Sequence, residues 1–281
     1  MPKSTDQTDT FRTLHEAGCF VIPNPWDAGS ARLLAGLGFK ALATTSSGFA
    51  WTLGKSDNRV MLDEALEHLR TVAGSVDIPV NADFEGGFAI EPDEVAANVA
   101  RAAETGIAGL SIEDSSGDPA DPLFDFNLSV ARIRAARKAI DDAGGHVLLT
   151  GRSEGFVVGR PDLSETIRRL QAYAEAGADC LYAPRVGTLE DIGAVIRAVA
   201  PKPVNVLVGS DFTTVAILAD LGARRISVGG GLARVAWGAF LEAAREIAER
   251  GTFSGLNRGI PFGEIDGAFA AEVDHEAQTG G

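Results

Sequence analysis

"AGADCL", residues 176–181, has two close echoes in the chain, "LGFKAL" (37–42) and "TGIAGL" (105–110). In each, an amphipathic stretch ends on a glycine, two or three residues turn, and an apolar run begins. Glycine is the residue that caps a helix in the left-handed conformation, so each hexamer reads as a helix end passing into a buried strand. The flanking sequence agrees. "SARLLAGLG" (30–38), "VAANVARAAETG" (95–106) and "LSETIRRLQAYAEAG" (163–177) carry helical periodicity, the last behind cap candidates Asp162 and Ser164.

Working outward gives eight strand candidates: 19–24, 40–45, 79–84, 109–114, 146–151, 180–185, 203–208 and 224–229. They are rich in Val, Ile, Leu and Thr, as strands covered on both faces are. Eightfold strand–helix alternation predicts an α/β chain folded as a (β/α)8 TIM barrel, an open doubly wound sheet being the alternative. Residues 1–250 form the barrel domain. Residues 251–281 form a C-terminal extension expected to pack on the barrel or on a neighbouring subunit.

Composition narrows the function. The 281 residues are 45% hydrophobic and carry a net charge of −14, which disfavours nucleic acid and anionic membranes as partners. An anionic substrate must then be held by local positive charge. The first ten residues are polar, and no apolar run is long enough to span a bilayer. Cys19 and Cys180 sit in apolar runs and read as reduced core thiols, so the expected location is cytoplasmic.

Barrel enzymes draw their chemistry from the C-terminal ends of the strands. Those ends hold Thr44, Thr45, Ser46, Ser47 and Gly48; Asp83 and Glu85; Glu113 and Asp114; Arg152, Ser153 and Glu154; Tyr182 and Arg185; Asn205; and Gly229–Gly231. Asp83 and Glu85 share one parity, and Glu113 comes from the next strand. Three converging acids need protons or a cation between them, and oxygen ligands suit Mg²⁺ or Mn²⁺. Alternatively they cap the following helices or pair with Arg152. The turn "TTSSGF" (44–49) could present N–H groups to a carboxylate, or be an ordinary loop or helix cap. Arg152 could bind a substrate carboxylate or bridge to Glu113 or Glu154. "GSD" (209–211) and "GGG" (229–231) lie where many barrels bind phosphate. Of the lysines only Lys55 could reach the mouth, which disfavours Schiff-base chemistry. His15, His68, His146 and His275 lie away from the strand ends, which disfavours zinc.

The stretches "NPWDAGSARLLAGLGFKALATTSSGFA" (24–50), "NADFEGGFA" (81–89), "LSIEDS" (110–115), "GRSEGF" (151–156) and "LGARRISVGGGL" (221–232) together resemble the isocitrate lyase/phosphoenolpyruvate mutase superfamily, in its small mutase-like branch. The resemblance implies a homotetramer in which paired subunits exchange the eighth helix. It implies a Mg²⁺ site served by Asp83, Glu85 and Glu113, partly through water. It implies a substrate carboxylate held by Ser46, Ser47 and Gly48, with Asp57 and Arg152 in the family's catalytic positions. The shared reaction makes or breaks a bond to C3 of a 2-oxo or 2-hydroxy acid through an enolate-like species.

The departures are informative. Family lyases carry a Lys-Lys-Cys-Gly-His type loop after the fourth strand, whereas "EDSSGDPADPLFD" (113–125) has no cysteine, lysine or histidine. The lysine-bearing loop of the mutases is missing too, and "YAPRV" (182–186) has no histidine. Decarboxylation of an acid such as oxaloacetate fits best, or retro-aldol cleavage of a substituted malate with Tyr182 or Glu154 as base. Arg185 could hold a second carboxylate, and Asn205 lines the substrate site. The alternatives are phosphonopyruvate hydrolysis or mutase-type phosphonate chemistry, and a catalytically silent carboxylate-binding protein.

Overall fold

The computed structural model describes residues 4–270. Eight parallel strands run β1 (Phe20–Ile22), β2 (Leu42–Ala43), β3 (Val80–Asp83), β4 (Gly109–Glu113), β5 (Leu148–Arg152), β6 (Cys180–Tyr182), β7 (Val204–Leu207) and β8 (Arg225–Ser227). From β2 to β8 each strand pairs with its sequence neighbour, and β1 pairs with β8. The seam between β1 and β2 is stitched by Ala43 N–H donating to Pro23 O at 3.0 Å. Asn24 reinforces it. Its amide donates to Thr44 O at 3.1 Å, while its Oδ1 accepts from Val228 and Gly229 N–H at 2.9 and 2.8 Å. The sheet is therefore the expected (β/α)8 barrel, not an open one.

The three hexamers behave as their glycines require. Gly38, Gly106 and Gly177 have φ of +85°, +88° and +107°, and at Gly177 a Cβ would lie 2.6 Å from Arg137 Cγ. The preceding helices are α2 (Ala28–Gly36), α5 (Pro92–Ala103) and α7 (Leu163–Glu175). The helices α2 and α5 start two and three residues before the periodic stretches at 30 and 95, whereas α7 starts at the expected Leu163. Asp27 accepts from Ser30 N–H ahead of α2, and Asp162 from Glu165 N–H ahead of α7, which puts Ser164 inside that helix. The remaining outer helices are α4 (Leu62–Gly74), α6 (Phe126–Asp142), α8 (Leu189–Val199) and α9 (Val215–Leu221). Outward strand residues such as Val80, Leu110 and Leu149 pack under them.

Helix α1 (Ser4–Glu16) closes the N-terminal mouth. It lays the fully buried Phe11 against Phe20, Ile22 and Leu148. Gly109 makes room for it, since a Cβ there would lie 2.7 Å from the Phe11 ring. With the floor plugged, polar side chains are confined to the upper barrel and the other mouth.

The "TTSSGF" turn is a helix, α3 (Ser46–Thr52), and Thr45 is its cap. Helix α10 (Gly231–Arg250) differs from the other outer helices. Of its twenty residues only Ala233 and Glu246 are buried, and Val235, Trp237, Phe240, Leu241 and Ile247 are exposed. Beyond it, a 3₁₀ turn (Ser254–Arg258) is tied back by Glu246, which accepts from Thr252, Ser254 and Gly255. The last described helix, α11 (Phe262–Ala270), packs on α2. The expectation for 271–281 lies outside the described residues.

Candidate active site

Parity along the strands decides what faces the barrel axis. Asn81 and Asp83 on β3, Ser111 and Glu113 on β4, and Thr150 and Arg152 on β5 alternate with apolar residues that face the helices. Above them opens a cleft of about 200 Å³ at the C-terminal mouth. Of the residues singled out in the sequence, Ser46, Ser47, Asp57, Asp83, Arg152, Tyr182, Arg185 and Asn205 line it, whereas Gly48, Glu85 and Glu113 do not. No lysine, histidine or cysteine does so among the described residues. Lys55, the one lysine expected within reach of the mouth, is instead paired with Glu64 at 2.5 Å.

Arg152 is the hub. Its Nη1 lies 3.1 Å from Asp83 Oδ1 and 3.2 Å from Glu113 Oε2, and its Nε donates to Glu154 Oε1 at 2.5 Å. Burial opposes the guanidinium charge, but Glu154, Glu113 and Asp83 outweigh it and hold the proton more tightly than usual. Burial pushes the carboxyls of Glu113 and Glu154 up, with Arg152 pulling both back. Pairing with Arg152 therefore coexists with the acid cluster instead of replacing it. Asp114, read from the sequence only as a strand-end acid, works from behind. Its Oδ1 accepts from Glu154 N–H at 2.7 Å, and its Oδ2 accepts from Arg169 at 3.1 Å and from the Tyr173 hydroxyl at 2.6 Å.

Glu85 sits at a left-handed turn, with φ +47° at Glu85, +75° at Gly87 and +56° at Phe88. Glycine bears this at no cost, but at Glu85 and Phe88 the left-handed backbone costs energy and needs its surroundings to hold it. Arg132, fully buried on α6, does so by donating to the carbonyls of Gly86, Ala89 and Ile90. Burial, then Asp83 and Asp57, raise the Glu85 carboxyl to about 8. Asp57 is raised by burial and by Asp83.

These acids fit a hard divalent cation in chemistry: all are oxygen donors, and burial raises the Glu85 and Glu113 carboxyls, a cost that a nearby cation would offset. Among the described residues no three of them converge as a ready-made direct ligand set. Arg152 stands between Asp83 and Glu113. Asp83, Glu85 and Glu113 would thus share an ion partly through water.

Two turns differ from their sequence reading. Ser46 N–H is spent on Asp83 Oδ2 at 2.9 Å and Gly48 N–H on Thr45 Oγ1 at 3.3 Å. Gly48 is buried and outside the cleft, where a Cβ would strike Thr45 and Trp26. The turn therefore offers a carboxylate Ser47 N–H and two hydroxyls, not three amides. In the glycine-rich corner after β8, Asn24 takes the amides of Val228 and Gly229 and Val228 O takes that of Gly231, which leaves fewer amides for a phosphate. The loop 113–125 is closed on itself, by a Ser115–Leu123 bridge and by Ser116 donating to Asp121 O. None of its residues lines the cleft.

Sequence reasoning missed Arg225, which enters β8 from its N-terminal end. It is buried beneath the cleft, and its Nε donates to Asn205 Oδ1 at 2.9 Å and its Nη2 to Thr150 Oγ1 at 3.2 Å. The signal was available: an arginine of inward parity within an apolar strand.

The family model described as phosphoenolpyruvate phosphomutase matches residues 11–248. A solved structure from Burkholderia cenocepacia, described as a lyase/mutase, is 45% identical. It covers 96% of this chain and 98% of its own, with a TM-score of 0.92. An uncharacterized protein of Mycobacterium tuberculosis is 33% identical, covering 96% of this chain and 98% of its own. The oxaloacetate decarboxylase of Paraburkholderia xenovorans is 28% identical, covering 70% of this chain and 67% of its own.

Proposed function

The chain belongs to the phosphoenolpyruvate phosphomutase family, within a superfamily of lyases and mutases, and on that premise we propose that it is a Mg²⁺-dependent lyase or decarboxylase. Its substrate would be a small 2-oxo or 2-hydroxy dicarboxylate, cleaved at a bond to C3, with oxaloacetate the simplest case. The observation that carries this reading is the buried Arg152, bridged to Asp83, Glu113 and Glu154 at 2.5–3.2 Å beside a cleft to which no lysine, histidine or cysteine among the described residues contributes. Such a site can hold charge developing on an enolate oxygen but has little apparatus for acid–base work. Carbon–carbon cleavage that releases CO₂ or a carbonyl compound asks least of it.

Asp83, Glu85 and Glu113 would hold the cation, which supplies a Lewis acid to the 2-oxo group. Ser46 and Ser47 orient the substrate carboxylate, and Asp57 orders Ser46 through a 3.4 Å hydrogen bond. Arg185 stands at the rim with φ +63° and no carboxylate paired to it among the described residues, so it can select for a second carboxylate. Asn205 supports the floor. The family relative named oxaloacetate decarboxylase favours the same reaction class.

The working form would be a homo-oligomer. The apolar residues of α10 have no cover in their own chain, and reciprocal exchange of α10 with a second copy would bury them in both subunits at once. No helix among the described residues is long and apolar enough to cross a membrane. The two free cysteines suit a reducing, cytoplasmic setting.

The test is a product panel. Oxaloacetate, substituted malates and phosphonopyruvate are each incubated with Mg²⁺ and followed for 2-oxo acid and for phosphate. A 2-oxo acid without phosphate is the expected result. Phosphate from phosphonopyruvate would favour carbon–phosphorus chemistry instead. Binding without any product would mean a carboxylate sensor.

A further inference from the structure

The buried arginines of this fold differ in what answers their charge. Arg152 meets three carboxylates, and Arg169 on α7 meets Asp114 and Glu165. Arg132 has carbonyl partners, which it clamps in the turn after β3, and it lies outside the cleft. Arg225 lines the cleft, is 3% exposed, and has no carboxylate paired to it among the described residues. A guanidinium taken out of water is costly unless a counter-charge meets it. Neutral acceptors satisfy its N–H groups but not its charge.

The partners of Arg225 hold it without neutralising it. Its Nε donates to Asn205 Oδ1 at 2.9 Å, its Nη2 to Thr150 Oγ1 at 3.2 Å, and its Nη1 to Asn81 Oδ1 and His15 Nε2, both at 3.4 Å. His15 Nδ1 donates to Phe11 O at 2.7 Å, so its Nε2 is an acceptor. Burial and then Arg225 lower that ring to about 3, which keeps it neutral. Strands β3, β5 and β7 and helix α1 thus fix the guanidinium while its full charge remains. One N–H on Nη2 has no acceptor among the described residues. The surroundings suit an anion. Asn205 gives its Oδ1 to Arg225, so its Nδ2 turns to Ser227 Oγ at 2.9 Å. Ser227 accepts that bond and keeps a hydroxyl proton to donate. It lies two residues nearer the mouth on the same face of β8 and also lines the cleft. The acids that line the cleft, Asp57 and Asp83, belong to its mouth, where Asp83 is tied to Arg152 and Ser46. One continuous cleft runs from Arg185 at the rim down to Arg225, so an anion has a way in.

We propose that the floor of the cleft is an anion subsite centred on Arg225, which takes one carboxylate-sized monoanion on the guanidinium and the Ser227 hydroxyl. The guanidinium is already held from four elements, so the anion does not have to order it. Two sources share this chemistry: a carboxylate at the far end of an acid bound beside Arg152, or a free small anion such as formate or bicarbonate. The subsite does not depend on which bond the enzyme breaks, so it stands apart from the lyase or decarboxylase reading.

The test titrates ¹³C-formate into the metal-free full chain and follows its line width. Saturable binding is expected in wild type. Arg225→Met should weaken it about 30-fold or more, the scale of truncating one partner of a buried charged contact. Arg225→Lys keeps the charge without the planar fork and should fall between the two. It carries the comparison should Arg225→Met fail to fold. Crystals of wild type soaked in bromide locate the ion independently, with an anomalous peak expected beside the Arg225 guanidinium. Repeating the titration with Mg²⁺ and saturating oxalate, then with malate, identifies the source. Formate displaced by malate but not by oxalate means that the acid's own far carboxylate takes the subsite. Formate retained with both means a free anion. Displacement by both places formate at the reacting end of the cleft and overturns the inference. Equal binding in wild type and both Arg225 variants overturns it as well. Bromide at Arg225 without formate binding in solution would be an adventitious ion only, and also overturns it. No arm reads turnover, so failure here leaves the lyase reading standing, and failure of that reading leaves the subsite standing.

Discussion

Arg152 shows how one side chain holds a site together and makes it testable. Breaking a buried ion pair leaves an uncompensated charge, so Arg152→Ala should cost about 3–5 kcal/mol by chemical denaturation and abolish turnover. The loss should also depend on pH. Unfolded, Glu113 and Glu154 titrate near 4.5, and burial raises both in the fold. A raised carboxyl favours the folded state at low pH and costs stability as the pH climbs past the unfolded value. Without Arg152 to offset it, the deficit against wild type should widen steadily above about pH 5. A gap independent of pH would mean that these acids do not ionise against burial. Arg185→Gln is expected to raise KM for dicarboxylates about tenfold with kcat retained, because a rim arginine acts on binding. The acids and Arg152 were legible because strand parity and the barrel rule point to the same positions. Arg225 was not, because attention to the C-terminal ends passes over a residue that enters a strand from below and reaches upward.

Elements set where these side chains stand. The turn after β3 is left-handed at Glu85, Gly87 and Phe88, and Arg132 on α6 clamps its carbonyls. Arg132→Met should release that clamp and weaken Mg²⁺ binding 10–100-fold, the usual cost of losing an outer-shell support. Titration calorimetry would read it, and unchanged affinity would detach the turn from metal binding. The eight strands and the glycine-capped helix ends were legible because both follow from local patterns, apolar runs and a residue that tolerates positive φ. The "TTSSGF" helix was not: its length is below what periodicity resolves, and Thr45 can be read equally as a turn residue or a cap. Helix α4 adds a pH-sensitive element. His68 stacks on Phe49 with 3.8 Å between ring centroids, and its Nε2 has no partner. Burial lowers its pKa from 6.5 to about 4. The unfolded chain then binds the extra proton between those values, so stability falls as the pH drops through that window. His68→Phe should flatten the acid limb of a denaturation profile by about 2–3 kcal/mol. An unaltered slope would show that His68 is not neutral in the fold.

At the scale of the molecule, the barrel supplies a closed floor and an open, arginine-centred mouth, while α10 stands clear of its own strands. Val235→Asp with Phe240→Asp should convert an oligomer to monomers in sedimentation, since charges placed on an exchanged helix face cannot be buried; an unchanged mass would place the interface elsewhere. The exchange proposed here is suggested by the family resemblance, because no local sequence pattern distinguishes a helix that packs on its own barrel from one that packs on a neighbour's. Cleavage at C3 of a dicarboxylate with the help of a divalent cation is the claim on which the rest depends. Its most direct test is pyruvate release from oxaloacetate by wild-type protein and by Asp83→Asn, with Mg²⁺ and with EDTA, corrected for the slow reaction of free metal. The expected result is release well above the metal blank in wild type with Mg²⁺ alone, lost with EDTA and in the variant. Equal rates in all four arms, or wild-type rates no higher than the blank, would contradict it.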